Sequence, residues 1–308
     1  MRAITTRDLE VLTVRARLLS SLPLLAVLPL VLTSCGGSSD SPTVSGPSSS
    51  AAPLASLVPA AIKAKGKLVV GSDVSYAPVE FADTDGKTAI GIDPDLAKAI
   101  GDKLGITLEF VNGTFDGLIP QLTTSKRIDV IMSAMSDNKK RQATVDFVDY
   151  FSAGTSIIVK KGNPSNINTL DDFCGKTVAI QRGTTQDDVA TAQQAKCKTA
   201  GKPLTVLKFD TDPQALLQIK SGRAVADMND FPVAAYTAQK QAADFQVVGQ
   251  QLEAGPYGIG LRKTDTQLRD AIKAAVQAII DDGTYKTILE KWHVQQGALT
   301  TATVNAGT

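Results

Sequence analysis

Three stretches of this 308-residue sequence carry side chains suited to holding charged groups. Arg141 closes the run Lys139-Lys140-Arg141. Its planar guanidinium matches a carboxylate through two parallel hydrogen bonds, although a run of this kind also reads as a solvated basic turn. Gly183-Thr184-Thr185 stands between an apolar run and a helix-like one, where exposed N–H groups and the helix dipole favour an anion and where Thr185 also suits plain N-capping. Asp230, ahead of Phe231-Pro232, offers a negative charge and equally suits an N-cap. Catalytic chemistry finds little else to use. The single histidine, His293, falls in a C-terminal helical run, and metal ligation has too few candidate side chains. Glu80, in a Pro-Val-Glu-Phe run, is the one imaginable acid or base. No cofactor is expected.

These residues need a scaffold, and composition provides for one. At 43% hydrophobic and 20% charged, the chain has enough apolar residues for two medium domains. Its 32 Lys plus Arg nearly balance 31 Asp plus Glu, which leaves no basic excess for nucleic acid. The front of the chain reads differently. Arg2, Arg7, Arg15 and Arg17 precede an apolar run from Leu18 to Leu32, the layout of a secretory signal. That run is too short for a membrane-spanning helix and is interrupted by Pro23 and Pro29. It ends Leu32-Thr33-Ser34-Cys35, similar to a bacterial lipobox in which the cysteine is lipidated. The Ser, Gly, Pro and Ala that follow read as a flexible tether. For an exported chain, the remaining pair Cys174 and Cys197 points to a disulfide, two buried free thiols being the alternative.

From Lys67 onward, short apolar strands alternate with amphipathic helices. Strand 68–71 is followed by a helix with Asp93 as expected N-cap, Pro94 at its first position and Gly105 as terminator. A strand at 107–111, a helix at 115–125 and a strand at 128–133 complete a first α/β unit. Strands at 177–181, 204–209 and 224–228, with helices from Gln186, Pro213 and Pro232, repeat the pattern. Helices 266–281 and 284–293 are expected to return to the first unit, so that the chain crosses between units twice. The expected division is a signal peptide at 1–34, a tether at 35–60, lobe 1 at 61–152 plus 253–296, lobe 2 at 153–252 and a disordered tail at 297–308. The fold class is α/β, with two open, mostly parallel sheets joined by two hinge strands.

The order and spacing of several short segments resemble the polar-amino-acid solute-binding proteins of ATP-driven importers, which have the type II periplasmic-binding-protein fold. Carrying the resemblance are Leu68-Val69-Val70-Gly71-Ser72-Asp73 with Tyr76 and Pro78, Gly91-Ile92-Asp93, Phe115-Asp116-Gly117-Leu118-Ile119-Pro120 and Lys140-Arg141-Gln142. Gly175-Lys176-Thr177, Gly183-Thr184-Thr185, Gly222-Arg223 with Asp230, and Gly283-Thr284-Tyr285 with Lys291-Trp292 extend it. Val225 departs from the Asp usual there.

The resemblance implies a site. Arg141 would hold the ligand carboxylate with help from Ser136 and from Thr184 and Thr185, while Asp230 and the carbonyl of Ala134 would take the ammonium. Tyr76 and Phe115 would sandwich the ligand side chain, and Asp73 and Gln181 would meet its far end, favouring basic or amide amino acids. It also implies an exported monomer that passes its amino acid to importer permease subunits and is anchored to the membrane through lipid on Cys35. The competing readings are a dehydratase-type enzyme on the same fold and a ligand-sensing module for a receptor.

Overall fold

The alternating strands and helices are present in the computed structural model, which describes residues 52–308. The expected signal peptide, the lipidation site Cys35 and the tether up to residue 51 lie outside the described residues. The first run of elements is α1 (Ala60–Lys65), β1 (Lys67–Ser72), β2 (Ser75–Tyr76), β3 (Glu80–Ala82), β4 (Ala89–Ile90), α2 (Ile92–Leu104), β5 (Thr107–Asn112), α3 (Leu118–Thr123), β6 (Val130–Ile131) and α4 (Lys139–Gln142). The long strand β7 (Val145–Lys160) leads into β8 (Thr177–Gln181), α5 (Thr185–Thr199), β9 (Thr205–Phe209), α6 (Asp212–Lys220), β10 (Ala226–Asp230) and α7 (Phe231–Lys240). A second long strand, β11 (Phe245–Arg262), returns the chain to α8 (Thr266–Asp281) and α9 (Thr284–Lys291).

Strand β1 pairs in parallel with β5 and β6 in one lobe, and β8 pairs in parallel with β9 and β10 in the other. The long strands β7 and β11 are antiparallel and run through both lobes, so the two expected sheets are hydrogen-bonded into one eight-stranded sheet of order β5-β1-β6-β11-β7-β10-β8-β9. Their register slips between Val248 and Leu252, between Leu252 and Ala254, and between Tyr257 and Gly258. Such bulges bend a strand pair and increase its local twist.

Four-residue spacing places Ile92, Leu96, Ile100 and Leu104 on one buried face of α2, packed with Ile272, Val276 and Ile279 of α8. Each such side chain contributes roughly 1.5–3 kcal/mol on burial. Lobe 2 has a smaller core around Ile157, Val178, Ile180, Met228 and the buried Cys197, which is disulfide-bonded to Cys174 as expected.

Several boundaries differ from expectation. Gly91, not Asp93, caps α2. The Asp93 carboxylate instead accepts from the Tyr150 hydroxyl at 2.7 Å and the Ala134 N–H at 3.3 Å, donors brought in by folding. The strand expected at 224–228 begins at Ala226 and ends at Asp230, which delivers that aspartate to the sheet's end. Phe115–Gly117 is a 3-10 turn ahead of α3. The last expected tether residues are packed: the Leu54 N–H donates to the Lys103 carbonyl at 2.9 Å, and Val58 is buried. The tail at 297–308 is not disordered either. Val304 bridges Val148 of β7, and Ala302 is buried. Its small, polar composition reads as disordered, but folding provides a strand edge for it to pair with.

Where α6 meets β10 in lobe 2, Asp212 and Asp227 form a buried carboxyl pair. Burial pushes Asp212 up to about 6, and it pushes Asp227 well above the usual carboxylate range with Asp212 adding repulsion. Asp212 also faces Asp73 and Asp230, which raise it further. A folded-state pKa above the unfolded value means stability that is complete below about 4 and is lost as pH rises through 6 and beyond. Asp227→Asn is therefore expected to stabilise the protein by roughly 1 kcal/mol at pH 8 and to flatten the decline in Tm between pH 5 and pH 8. Thermal melts across that range check this. An unchanged slope would mean that the pair does not share a proton.

Candidate functional site

The three parallel strands of each lobe point their carboxyl ends toward a cleft between the lobes, where ligands of open α/β sheets bind. One cavity there is lined by all ten residues named from the sequence: Asp73, Tyr76, Phe115, Ala134, Ser136, Arg141, Gln181, Thr184, Thr185 and Asp230. Glu80 and Gln186 complete the lining.

Lobe 1 supplies Asp73 just past β1, Tyr76 on β2, Phe115 before α3, and the loop from Ala134 into α4. Ala134 adopts a positive φ of 42°, which turns the chain at the cleft floor. Asn138 caps α4 by accepting from the Arg141 N–H at 2.9 Å. Arg141 is 9% exposed, in contrast to its exposed neighbours Lys139 and Lys140, so the basic run is not a uniformly solvated turn. Its guanidinium lies 5.3 Å from the centre of the Phe115 ring and donates to the Ser136 carbonyl at 2.7 Å. Burial lowers its pKa to about 10, which leaves it charged at neutral pH.

Lobe 2 supplies Gln181 at the end of β8, the N-terminus of α5, and Asp230 at the end of β10. The α5 cap is Thr184, whose hydroxyl accepts from the Asp187 N–H at 3.0 Å; Thr185 is the first helical residue. Asp230 occupies the N-cap position of α7 without capping it. Its carboxylate faces the cleft instead, accepting from Gln186 Nε2 at 2.9 Å and the Tyr76 hydroxyl at 3.2 Å. Burial pushes it up to about 6 despite those bonds. The Val225 departure does not disturb this register: Val225 N–H bonds the Thr177 carbonyl at 2.8 Å, and Asp230 reaches the cavity.

The lobes meet through the site's own polar groups. Tyr76 reaches Asp230, Gln181 donates to Asp73, and Arg141 donates to the Gly183 carbonyl at 3.2 Å. Gly183 has φ +78°, and a Cβ there would lie 2.8 Å from the Asp116 Cβ of lobe 1, so this approach requires glycine. Space among the lining side chains is about 10 Å3, roughly one water. Admitting anything larger requires these cross-cleft bonds to open.

Gln186 was not singled out from the sequence, although its place in the first turn after the capping threonine was a usable signal. Glu80, which the sequence offers only as an acid or base, lines the cavity as well. It is buried, accepts from the Ser133 hydroxyl at 3.0 Å, and is pushed well above the usual carboxylate range by burial and by Asp93.

A cleft that offers a buried guanidinium from one lobe and a buried carboxylate from the other defines a two-lobed binding protein for small solutes with both charges. The chain belongs to the bacterial extracellular solute-binding proteins, family 3, matching over residues 68–295. The arginine-binding protein ArgT of Corynebacterium glutamicum is 31% identical over 254 residues, covering 82% of each chain. An ancestral arginine-binding protein solved with arginine superposes at a TM-score of 0.68 with 40% identity, over 74% of this chain and 98% of that one. An ancestral amino acid-binding protein described as a precursor of cyclohexadienyl dehydratase superposes at 0.67 with 37% identity, over 75% and 97%. The type II periplasmic-binding-protein fold expected from the sequence is the fold of this chain. Among the described residues, no helix is long and apolar enough to cross a membrane.

Proposed function

We propose that the protein captures a free amino acid with a basic or amide side chain by closing its two lobes and delivers it, as a monomer, to the permease of an ATP-driven importer. The observation that carries this is the pairing of Arg141 from lobe 1 with Asp230 from lobe 2 in one cavity, matched to the carboxylate and ammonium of an amino acid. Contacts made to both lobes at once stabilise only the closed state, so the ligand shifts the lobe equilibrium. The bulged strands β7 and β11 are the hinge. Asp73, Gln181 and Glu80 supply acceptors for a cationic or amide side chain, and arginine-binding relatives support that preference. Lipidation at Cys35, after cleavage of residues 1–34, would hold the body outside the membrane.

The test is a melting scan of the body stripped of ligand, against the common amino acids. A ligand at 100 times its Kd adds about 2.7 kcal/mol of stability. A large shift with arginine, lysine, ornithine, histidine or glutamine supports the reading, and no shift with any amino acid sinks it. The second reading, a dehydratase-type enzyme, rests on Glu80, a cleft carboxyl that burial and Asp93 push well above the usual range, and on the dehydratase-precursor relative. Turnover of a candidate substrate, lost in Glu80→Gln, would favour it.

Binding is expected to weaken as pH falls through about 6, because Asp230 must be ionised to accept an ammonium. Arg141 stays charged throughout. One coupled proton gives roughly a tenfold rise in Kd per pH unit below that point. Calorimetry from pH 5 to pH 8 measures it. Burial also raises Asp73, Glu80 and Asp93, so Asp230→Asn, which should bind weakly and remove the dependence, isolates the residue responsible.

A further inference from the structure

The family match ends at residue 295, yet the chain beyond it is bound to the loop that carries Arg141. In lobe 1, β7 pairs with β11 along one edge only, because β10 covers the other edge only from Thr155 onward. Residues 303–305 occupy that remaining edge: the Asp149 N–H donates to the Thr303 carbonyl at 3.0 Å, the Asn305 N–H to the Phe147 carbonyl at 3.2 Å, and the Phe147 N–H to Asn305 Oδ1 at 2.8 Å. The buried Asp149 carboxylate accepts from the Thr303 hydroxyl at 2.7 Å and the Ala306 N–H at 3.2 Å.

Beyond the edge, the same segment reaches the site loop. The Gly307 N–H donates to the buried Asp137 carboxylate at 2.7 Å. Gln142 Nε2 donates to the Gly307 carbonyl at 3.0 Å and to Asp137 at 2.8 Å. Asp137 and Gln142 bracket the turn that contains Arg141. From its other side the loop is held by β11, through the Asp137 N–H on the Pro256 carbonyl at 2.8 Å and a bridge from Ser136 to Tyr257. Gly307 is buried, and a Cβ on it would lie 2.1 Å from the Asp137 carbonyl oxygen, so the fit is close.

We propose that residues 303–307 are a positioning strap, which braces the 136–142 loop so that the Arg141 guanidinium is preorganised for a ligand carboxylate. The strap touches no ligand and acts through Arg141, and the inference rests on the amino-acid reading of the site. A rigid donor loses less freedom on binding, so an unbraced loop lowers affinity without removing any contact. Val304 is the strap's only large apolar residue, which makes its hold largely one of hydrogen bonds.

The test uses the full body with residues 303–308 deleted and, keeping the chain length, Gly307→Val. Hydrogen exchange comes first because it needs no ligand. Amides of residues 137–144 should exchange faster in both variants, with α2 and α8 unchanged; protection equal to the parent overturns the proposal even if no amino acid binds. L-arginine and L-argininamide, which lacks the carboxylate, are then titrated into parent and variants. Affinity for L-arginine should fall roughly three- to tenfold, the effect of loosening one hydrogen-bonded contact, while that for L-argininamide stays constant. Equal losses for both ligands mark a general structural effect and overturn the proposal. Failure of the parent to bind any amino acid, with exchange in the loop still accelerated, would sink the function and leave the brace standing.

Discussion

Arg141→Ala should abolish amino-acid binding while leaving the protein folded. The guanidinium is buried and charged, its protein partners at the site are the Ser136 and Gly183 carbonyls, and among the described residues no carboxylate bonds it. A ligand carboxylate in this cavity would therefore be left buried and unpaired in the variant. Truncating one member of such a pair costs roughly 2–5 kcal/mol, about thirtyfold to several thousandfold in Kd. Arg141→Lys should restore little, because an ammonium does not reproduce two parallel bonds. Lys139→Ala and Lys140→Ala serve as controls: both side chains are exposed, and the Lys140–Asp188 ion pair is of the surface kind that contributes little. Calorimetry with the amino acid found by the melting scan, beside a thermal melt of each variant, reads both quantities. An affinity within twofold of the parent would return Arg141 to the status of a structural arginine.

Removing the disulfide is the largest expected effect on stability. Cys174 and Cys197 are joined across a sequence separation of 23, and closing a loop of that size restricts the unfolded chain by about 3 kcal/mol. The bond ties the turn at Leu170–Phe173 to the last turn of α5, beside a lobe 2 core much smaller than that of lobe 1. The double variant Cys174→Ala, Cys197→Ala should melt roughly 6–12 °C lower, at about 2–4 °C per kcal/mol for a chain of this size. Reductant should lower the parent's Tm toward that of the variant and leave the variant unmoved. A parent indifferent to reductant would show that the bridge does not form. Affinity at 25 °C should change little, since the site residues of α5 lie at its opposite end.

The elements were read most easily where burial follows a simple period. Ile92, Leu96, Ile100 and Leu104 announce α2 by spacing alone, and the apolar runs at β1 and β8 announce buried strands. Reading failed where a local signal had a distant competitor. Asp93 has the type and place of a cap, but Tyr150, which sits 57 residues away, takes its carboxylate. Asp230 occupies a cap position, yet its side chain turns to Tyr76 and Gln186.

The ten cavity residues were legible through the order of short motifs, which resembles that of a family with a known site, and the fold brings all ten to one cleft. The partners that hold Gln186 and Glu80 at the cavity are distant in sequence, Thr155 and Asp230 for one and Ser133 for the other, so a binding role for either was not legible from local pattern beyond the place of Gln186 in the first turn of α5. The carboxyl pair Asp212–Asp227 was equally hidden, since the two belong to different elements and meet only when α6 packs on β10.

By itself, then, the sequence determined the alternation of elements, the two-lobed class, the cysteine pair and the chemical types at the cleft, all set by short-range patterns of burial and turn formation. Tertiary structure decided which carboxyls burial pushes above their ordinary range, how the lobes share one sheet, and that residues 303–307 lie along β7. Each of these depends on an unpaired edge or a desolvated neighbour that exists only once distant segments have been brought together.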